Sequence, residues 1–267
     1  MKILIKLSGK VLESSELCLS LARQLGYLEA KGYRVLLVHG AGKQLSEYCL
    51  SRGIPVVQKA GRRVTSQPVL DSAVKVFSSV NREICSSLIS SGVNAVGLSA
   101  FDGNLTSSRR RPPIEVAGYS EKIDFGCVAE IERVNPQIIH TLWNEGFTPV
   151  VSSLCADSSG RLLNINADTL AMELGAALEV TSLVSVSDVK GLYRDLDDPA
   201  SLIFRITLEE ARRLLSKGVI FDGMIPKIQN AVSALERGIS SYHLVSGLEI
   251  NCLPEALEGK EGTLISK

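Results

Sequence analysis

The sequence has no excess charge of either sign: 29 Lys+Arg residues face 29 Asp+Glu. That speaks against a protein that binds nucleic acid through a broad basic field. No apolar run approaches the roughly 18 residues of a membrane-spanning helix. The opening Met1-Lys2-Ile3-Leu4-Ile5-Lys6-Leu7 is too short for a signal-peptide core, and no small-residue cleavage site follows it. The six cysteines, at 18, 49, 85, 127, 155 and 252, include no closely spaced pair of the zinc-knuckle or redox kind. Several sit in apolar segments, as small buried thiols do. No internal repeat or low-complexity tract stands out. The expectation is a soluble, cytoplasmic chain from a reducing compartment, with no membrane and no nucleic acid among its partners and no bound metal.

Of the 267 residues 45% are hydrophobic, enough for one large α/β domain or two small ones with a sizeable core. Short apolar runs alternate with amphipathic stretches. Strands are expected at Ile3–Leu7, Arg34–Val38, Asn94–Leu98, Thr148–Ser152, Ser182–Val186, Tyr242–Val245 and Thr263–Ser266. Helices are expected from Leu17 to Leu28, ended by Gly32, and over Lys43–Arg52, Pro136–Glu145, Ala167–Ala177, Thr207–Lys217 and Ile225–Arg237. The longest helix carries Val69, Ala73, Phe77, Val80, Ile84 and Leu88 at helical spacing, with Ser66 as its cap, Pro68 in its first turn and Gly92 after it. Residues 101–134 break this rhythm. Asp102-Gly103, Asn104 and Arg109-Arg110-Arg111-Pro112-Pro113 exclude a helix, and Val116, Cys127, Ala129 and Ile131 suggest hairpin strands. Strands separated by helix-length segments predict a mostly parallel sheet covered on both faces. A soft boundary falls near residue 180, with no flexible linker.

Several polar stretches follow strands or open helices, where open α/β sheets bind ligands. Lys6-Leu7-Ser8-Gly9-Lys10 places a lysine at a strand end, followed by a glycine whose amide can approach a phosphate. His39-Gly40-Ala41-Gly42-Lys43 sits between a strand and a helix, so its amides face a helix N-terminus. It matches neither a P-loop nor a full dinucleotide fingerprint, since Leu45 occupies the third glycine position; His39 reads better as a structural histidine than as a base. In Gly61-Arg62-Arg63-Val64-Thr65 either arginine suits a carboxylate, or both belong to a solvated turn. Leu163-Asn164-Ile165-Asn166-Ala167-Asp168 packs more polar groups at a helix start than capping requires. Ser187-Asp188-Val189 again follows a strand. In Phe221-Asp222-Gly223-Met224-Ile225-Pro226-Lys227 the lysine falls in a first helical turn, a poor place for a cation unless an anion is near. The Arg109–Arg111 run reads as a solvated hairpin face rather than a docking surface.

In order and spacing these stretches resemble the amino acid kinase family, and within it the branch that phosphorylates N-acetyl-L-glutamate in arginine biosynthesis. The resemblance covers essentially the whole chain. Its most specific parts are Asn164-Ile165-Asn166-Ala167-Asp168 and Gly223-Met224-Ile225-Pro226-Lys227. It implies a three-layer αβα sandwich with a central, mainly parallel sheet. Residues 1–180 would form a lobe for acylamino-acid binding and dimerisation, and 181–267 a lobe for ATP. It implies ATP, with Mg²⁺ bound through the nucleotide phosphates, and a homodimer. By motif position Lys6 and Lys227 would flank the phosphoryl group, with Asp168 holding both. Gly40, Ala41, Arg63, Asn164 and Asn166 would bind the acceptor, Arg63 taking its α-carboxylate. Gly9 and Gly42 would offer amides to phosphoryl oxygens, and Asp188, Met224 and Ile225 would lie toward the nucleotide.

The chemistry suits these residue types. A carboxylate acceptor with a pKa of ~4.3 is ionised at neutral pH and needs no general base. The obstacle is repulsion between two anions, which lysines, amides and Mg²⁺ relieve. Two positions depart from the family pattern: Ser8 and Ala41 stand where many relatives have glycine. The chain also opens on its first strand, which predicts a plain dimer without strong arginine inhibition. The alternatives are a kinase for a carrier-linked aminoadipate or glutamate, or for another N-acylglutamate; a non-catalytic regulatory homologue; and a dinucleotide-dependent oxidoreductase, for which the incomplete glycine fingerprint is poor support.

Overall fold

The computed structural model describes residues 1–9, 14–195, 197–218, 220, 224–247 and 252–267. Lys10, Phe221, Asp222 and Gly223, which belong to two of the motifs above, lie outside the described residues.

In chain order the first half comprises β1 (Lys2–Leu7), α1 (Ser15–Ala30), β2 (Arg34–His39), α2 (Gly42–Ser51), β3 (Val57–Lys59), β4 (Arg62–Val64), α3 (Gln67–Ser90), β5 (Ala95–Ser99), β6 (Thr106–Arg110) and β7 (Ala129–Val134). The second half comprises α4 (Gln137–Asn144), β8 (Thr148–Ser152), β9 (Leu154–Ala156), β10 (Leu162–Asn164), α5 (Ala167–Ala177), β11 (Ser182–Ser187), β12 (Leu192–Tyr193), β13 (Leu202–Ile203), β14 (Arg205–Thr207), α6 (Leu208–Lys217), α7 (Ile225–Glu236), β15 (Ser241–Ser246), α8 (Cys252–Leu257) and β16 (Thr263–Ser266).

Eight strands form one sheet in the order β14-β16-β15-β11-β1-β2-β8-β5. All neighbours are parallel except β15 and β16. Burial on both faces explains why the central strands read as continuous apolar runs, such as Ile3-Leu4-Ile5 and Val35–Val38. Alternation splits each strand between two cores. Leu4, Leu36, Val38 and Val151 pack with residues of α4, α5 and α7, whereas Ile3, Ile5, Leu37 and Val150 pack with α1, α3 and α8. The result is the expected three-layer αβα sandwich.

The register fixes where the strands stop together. Leu7 pairs with both His39 and Val186, and His39 pairs with Ser152. The chain leaves β1 toward β2 on one side, and α5 delivers it to β11 on the other. This reversal of direction at β1 opens a crevice beyond the carboxyl ends of the strands.

The structure departs from the sequence reading in specific places. Between Thr106 and Val134 only β6 and β7 form a hairpin; Val116 and Cys127 lie outside strands. Pro112, Pro113 and two glycines at positive φ, Gly118 and Gly126, interrupt that segment, and Val116 packs on a small cluster of Ile123, Phe125 and Val128. Ser66 occupies the cap position of α3, but its side chain makes no capping bond. The short pairs β3–β4, β9–β10 and β12–β13, with β14 and α8, were not expected; two- and three-residue strands carry too few side chains for a period to show.

Candidate active site

The crevice at the end of β1 holds a cavity of about 250 Å³ lined by four of the sequence motifs: Lys6 to Gly9, Gly40 to Gly42, Arg63, and Asn164 to Asp168. Leu45, Phe77 and Ser153 complete it.

Two helices open onto it. The turn before α2 passes so close to α5 that a Cβ on Gly40 would stand 3.3 Å from Ala167 Cβ. The N-termini of α2 and α5 thus face one space, where their amides favour negative charge. Gly9 folds over the same start. Gln44 Nε2 donates to Gly9 O at 2.8 Å, and a Cβ on Gly9 would meet Gln44 Oε1 at 2.8 Å, with Gly42 N and Lys43 N each 3.7 Å away. Around Gly42 a Cβ position is open for 4 Å. Ala41 is fully buried at the cap of α2, and its side chain makes no capping bond.

His39 shapes this turn from behind. It is buried, its Nδ1 lies 3.2 Å from Gly40 O, and Asn81 Nδ2 lies 3.0 Å from its Nε2. With Nδ1–H donating to Gly40 O, Nε2 is free to accept from Asn81, so the neutral imidazole satisfies both contacts. Burial pushes its pKa down to about 4, with the Gly40 contact opposing. Ser153 Oγ donates to His39 O at 2.7 Å. The histidine is therefore a structural member of the turn, as the sequence suggested.

The charged groups form two pairs, of which Lys6 and Asp168 line the cavity. Lys6 Nζ lies 2.9 Å from Asp168 Oδ1. Behind Asp168, Tyr242 is fully buried, and its phenol is pushed above the usual range by burial first and by the Asp168 carboxylate second. Lys227, in the first turn of α7, stands 3.9 Å from Asp188 Oδ1, just past the end of β11. Asp168 thus stands against Lys6, and Asp188 against Lys227. Met224 is buried in the core and Ile225 packs against it, so what Met224 presents at the helix start is backbone rather than side chain.

Arg63 resolves the choice left open between the two adjacent arginines. Its Nη2 donates to Gly42 O and to Ser46 Oγ, both at 2.7 Å. Its Nη1 is buried with no hydrogen-bond partner among the described residues. Burial lowers the pKa of this guanidinium. A half-buried guanidinium with an unused donor at a cavity wall suits an incoming carboxylate. Asn164 Nδ2 donates to Thr65 Oγ1 at 3.2 Å, tying β10 to the segment after Arg63. Asn166 is exposed and caps α5, its Oδ1 accepting from the Asp168 and Thr169 amides at 2.8 and 3.1 Å. Ser46, Gln44 and Ser153 escaped the sequence reading; each supports a motif from the next turn of helix or the next strand. Among the described residues no three His, Cys, Asp or Glu side chains are grouped to hold a metal ion, and no helix is long and apolar enough to cross a membrane.

A lysine, helix-start amides and a spare guanidinium around one cavity of a three-layer sandwich are a device for handling anions. Comparison with known proteins agrees with that arrangement: residues 1–246 match the model of the amino acid kinase family. The chain belongs to the amino acid kinase family. It is 35% identical over 246 residues to an acetylglutamate kinase of Methanothrix thermoacetophila, an alignment covering 92% of this chain and 84% of that one. It is 37% identical to an acetylglutamate kinase of Sorangium cellulosum, with 98% and 94% covered. Among solved structures, Giardia carbamate kinase superposes with a TM-score of 0.72 at 17% identity, covering 100% of this chain and 98% of that one. An N-acetylglutamate synthase of Neisseria gonorrhoeae reaches 0.84 at 22% identity, covering 100% of this chain and 61% of the longer one. At these identities the solved structures speak for the amino acid kinase fold alone.

Proposed function

We propose that this chain is an acetylglutamate kinase, which transfers the γ-phosphoryl group of ATP to the side-chain carboxylate of N-acetyl-L-glutamate. The observation that carries the reading is the unpartnered Arg63 Nη1 at one wall of the cavity that Lys6 lines at another. One cation suits the acceptor's α-carboxylate and the other the group in transit. The similarity to acetylglutamate kinases over more than nine-tenths of the chain supports the choice of acceptor.

In this reading the acceptor lies against the Gly40–Gly42 turn, with Arg63 on its α-carboxylate and Asn164 beside it. The amides of Gly9 and Gly42 meet phosphoryl oxygens. Lys6, held by Asp168, and Lys227, held by Asp188, neutralise charge as it spreads over the phosphoryl group. Asn166 acts through the helix it caps. Mg²⁺ arrives on the nucleotide phosphates and supplies further neutralisation. Residues 1–180 are read as the acceptor lobe with the dimer contact, and 181–267, with Asp188 and Lys227, as the ATP lobe. We assign the protein a homodimeric, cytoplasmic state on the same resemblance; its mass in solution tests the first.

A carrier-linked acceptor would call on the Arg109–Arg111 run as a docking face; Arg109 pairs with Glu130 and Glu132, and Arg110 with Asp124, which favours the free acceptor. Trapping the acyl phosphate with hydroxylamine tests the acceptor: N-acetyl-L-glutamate should give product where L-glutamate and a carrier-linked glutamate do not.

A further inference from the structure

Ser8 follows the first strand and carries a hydroxyl with no role in the pairs and turns around Lys6 and Arg63. Its Oγ is buried and has no hydrogen-bond partner among the described residues. Its backbone, by contrast, is fixed. Ser8 N–H donates to Val186 O at 3.0 Å, continuing the parallel ladder one step past the Leu7–Val186 pair. Side chains alternate along a strand. Ser8 therefore shares a face with Lys6, the face on which Asp168 meets that lysine. Both residues line the cavity, with Gly9 next in line. Buried hydroxyls nearly always find a partner, and a donor without one beside a cationic cavity is suited to an anion that enters it.

We propose that Ser8 is a further donor to the phosphoryl group, its O–H donating to a terminal γ-phosphoryl oxygen as that group passes to the acceptor. The proposal rests on the kinase reading of the same site. In the step, an acceptor carboxylate oxygen forms the new bond to phosphorus. The bond from that phosphorus to the β,γ-bridging oxygen breaks, and ADP leaves with the electron pair. The acceptor enters ionised, so no proton is transferred and Ser8 keeps its own. The hydroxyl contributes direction: an ammonium is a rotatable point charge on a long stem, whereas the sheet ladder fixes the Ser8 backbone and leaves only one side-chain torsion to aim Oγ.

The test uses the full chain with Ser8→Ala and Ser8→Gly. Calorimetry measures binding of ADP–Mg²⁺ alone and with aluminium fluoride, which mimics the phosphoryl group in flight and requires no choice of acceptor. Fluoride should tighten binding to the unaltered protein, and both substitutions should weaken that gain about ten- to hundredfold. Affinity for ADP alone should stay within about twofold, and the Tm of Ser8→Ala should not fall, since the lost hydroxyl made no internal bond. No gain with fluoride in the unaltered protein, or an equal gain in Ser8→Ala, overturns the proposal. So does a loss that appears equally with ADP alone or with a lowered Tm, the mark of a structural role. A failure to phosphorylate N-acetyl-L-glutamate is read separately, by hydroxamate formation, and would count against the acceptor while the fluoride comparison still decided Ser8.

Discussion

Lys6 Nζ and Asp168 Oδ1 stand 2.9 Å apart, joining the end of β1 to the first turn of α5. The pair is partly exposed to the cavity, so its value lies in orientation more than in stability. Asp168→Asn keeps the size of the side chain and removes the charge that fixes the lysine. The expected outcome is a fall in kcat of about a hundredfold with a much smaller change in acceptor KM. Steady-state kinetics checks the split, and an equal rise in KM would assign the pair to binding.

Arg63 leaves Nη1 without a partner among the described residues and spends Nη2 on Gly42 O and Ser46 Oγ. Arg63→Ala should raise the acceptor KM about tenfold or more, as loss of a charge-assisted contact does. Ser46→Ala should give a smaller change of the same kind, because it loosens the arginine without removing it. ATP affinity, measured by calorimetry, should be unaffected in both.

Burial lowers the pKa of His39 and of His243 to about 4. Unfolded histidines titrate near 6.5. Between those values the unfolded chain holds protons that the folded chain does not, so stability falls as pH falls through this window. Above about pH 6.5 both imidazoles are neutral in either state and their contribution is complete. Urea unfolding at a series of pH values should show this slope, and His39→Gln should reduce it by about one proton.

Gly97 lies on edge strand β5 against α3. A Cβ there would run into Asn81 Oδ1 and stand 3.1 Å from Cys85 Sγ. Asn81 cannot yield freely, since its Nδ2 also serves His39 and Val150 O. Gly97→Ala should therefore cost about 1–3 kcal/mol. If the clash is relieved by moving Asn81, the Gly40 turn loosens and acceptor KM rises with it.

The layered core was legible in the sequence for a physical reason. Strands buried on both faces are apolar throughout, and the helices between them keep a clean period, so β8, α5 and β16 were placed to the residue. The cavity motifs were legible because each sits where a strand hands over to a helix. What stayed hidden depends on pairing across the fold. Nothing local says that Lys227 faces Asp188, that Met224 turns into the core, or that Arg63 rather than Arg62 reaches Gly42. Strands such as Val57–Lys59, exposed along their whole length, leave no hydrophobic pattern to read. The face on which Ser8 lies became clear only with the Val186 bond that extends the ladder.

The most direct measurement is ATP- and Mg²⁺-dependent hydroxamate formation from N-acetyl-L-glutamate, with Lys227→Ala run beside the unaltered chain. Robust product is expected, falling about a hundredfold or more in the variant. No product from the unaltered chain, or equal product from both, would contradict the kinase reading.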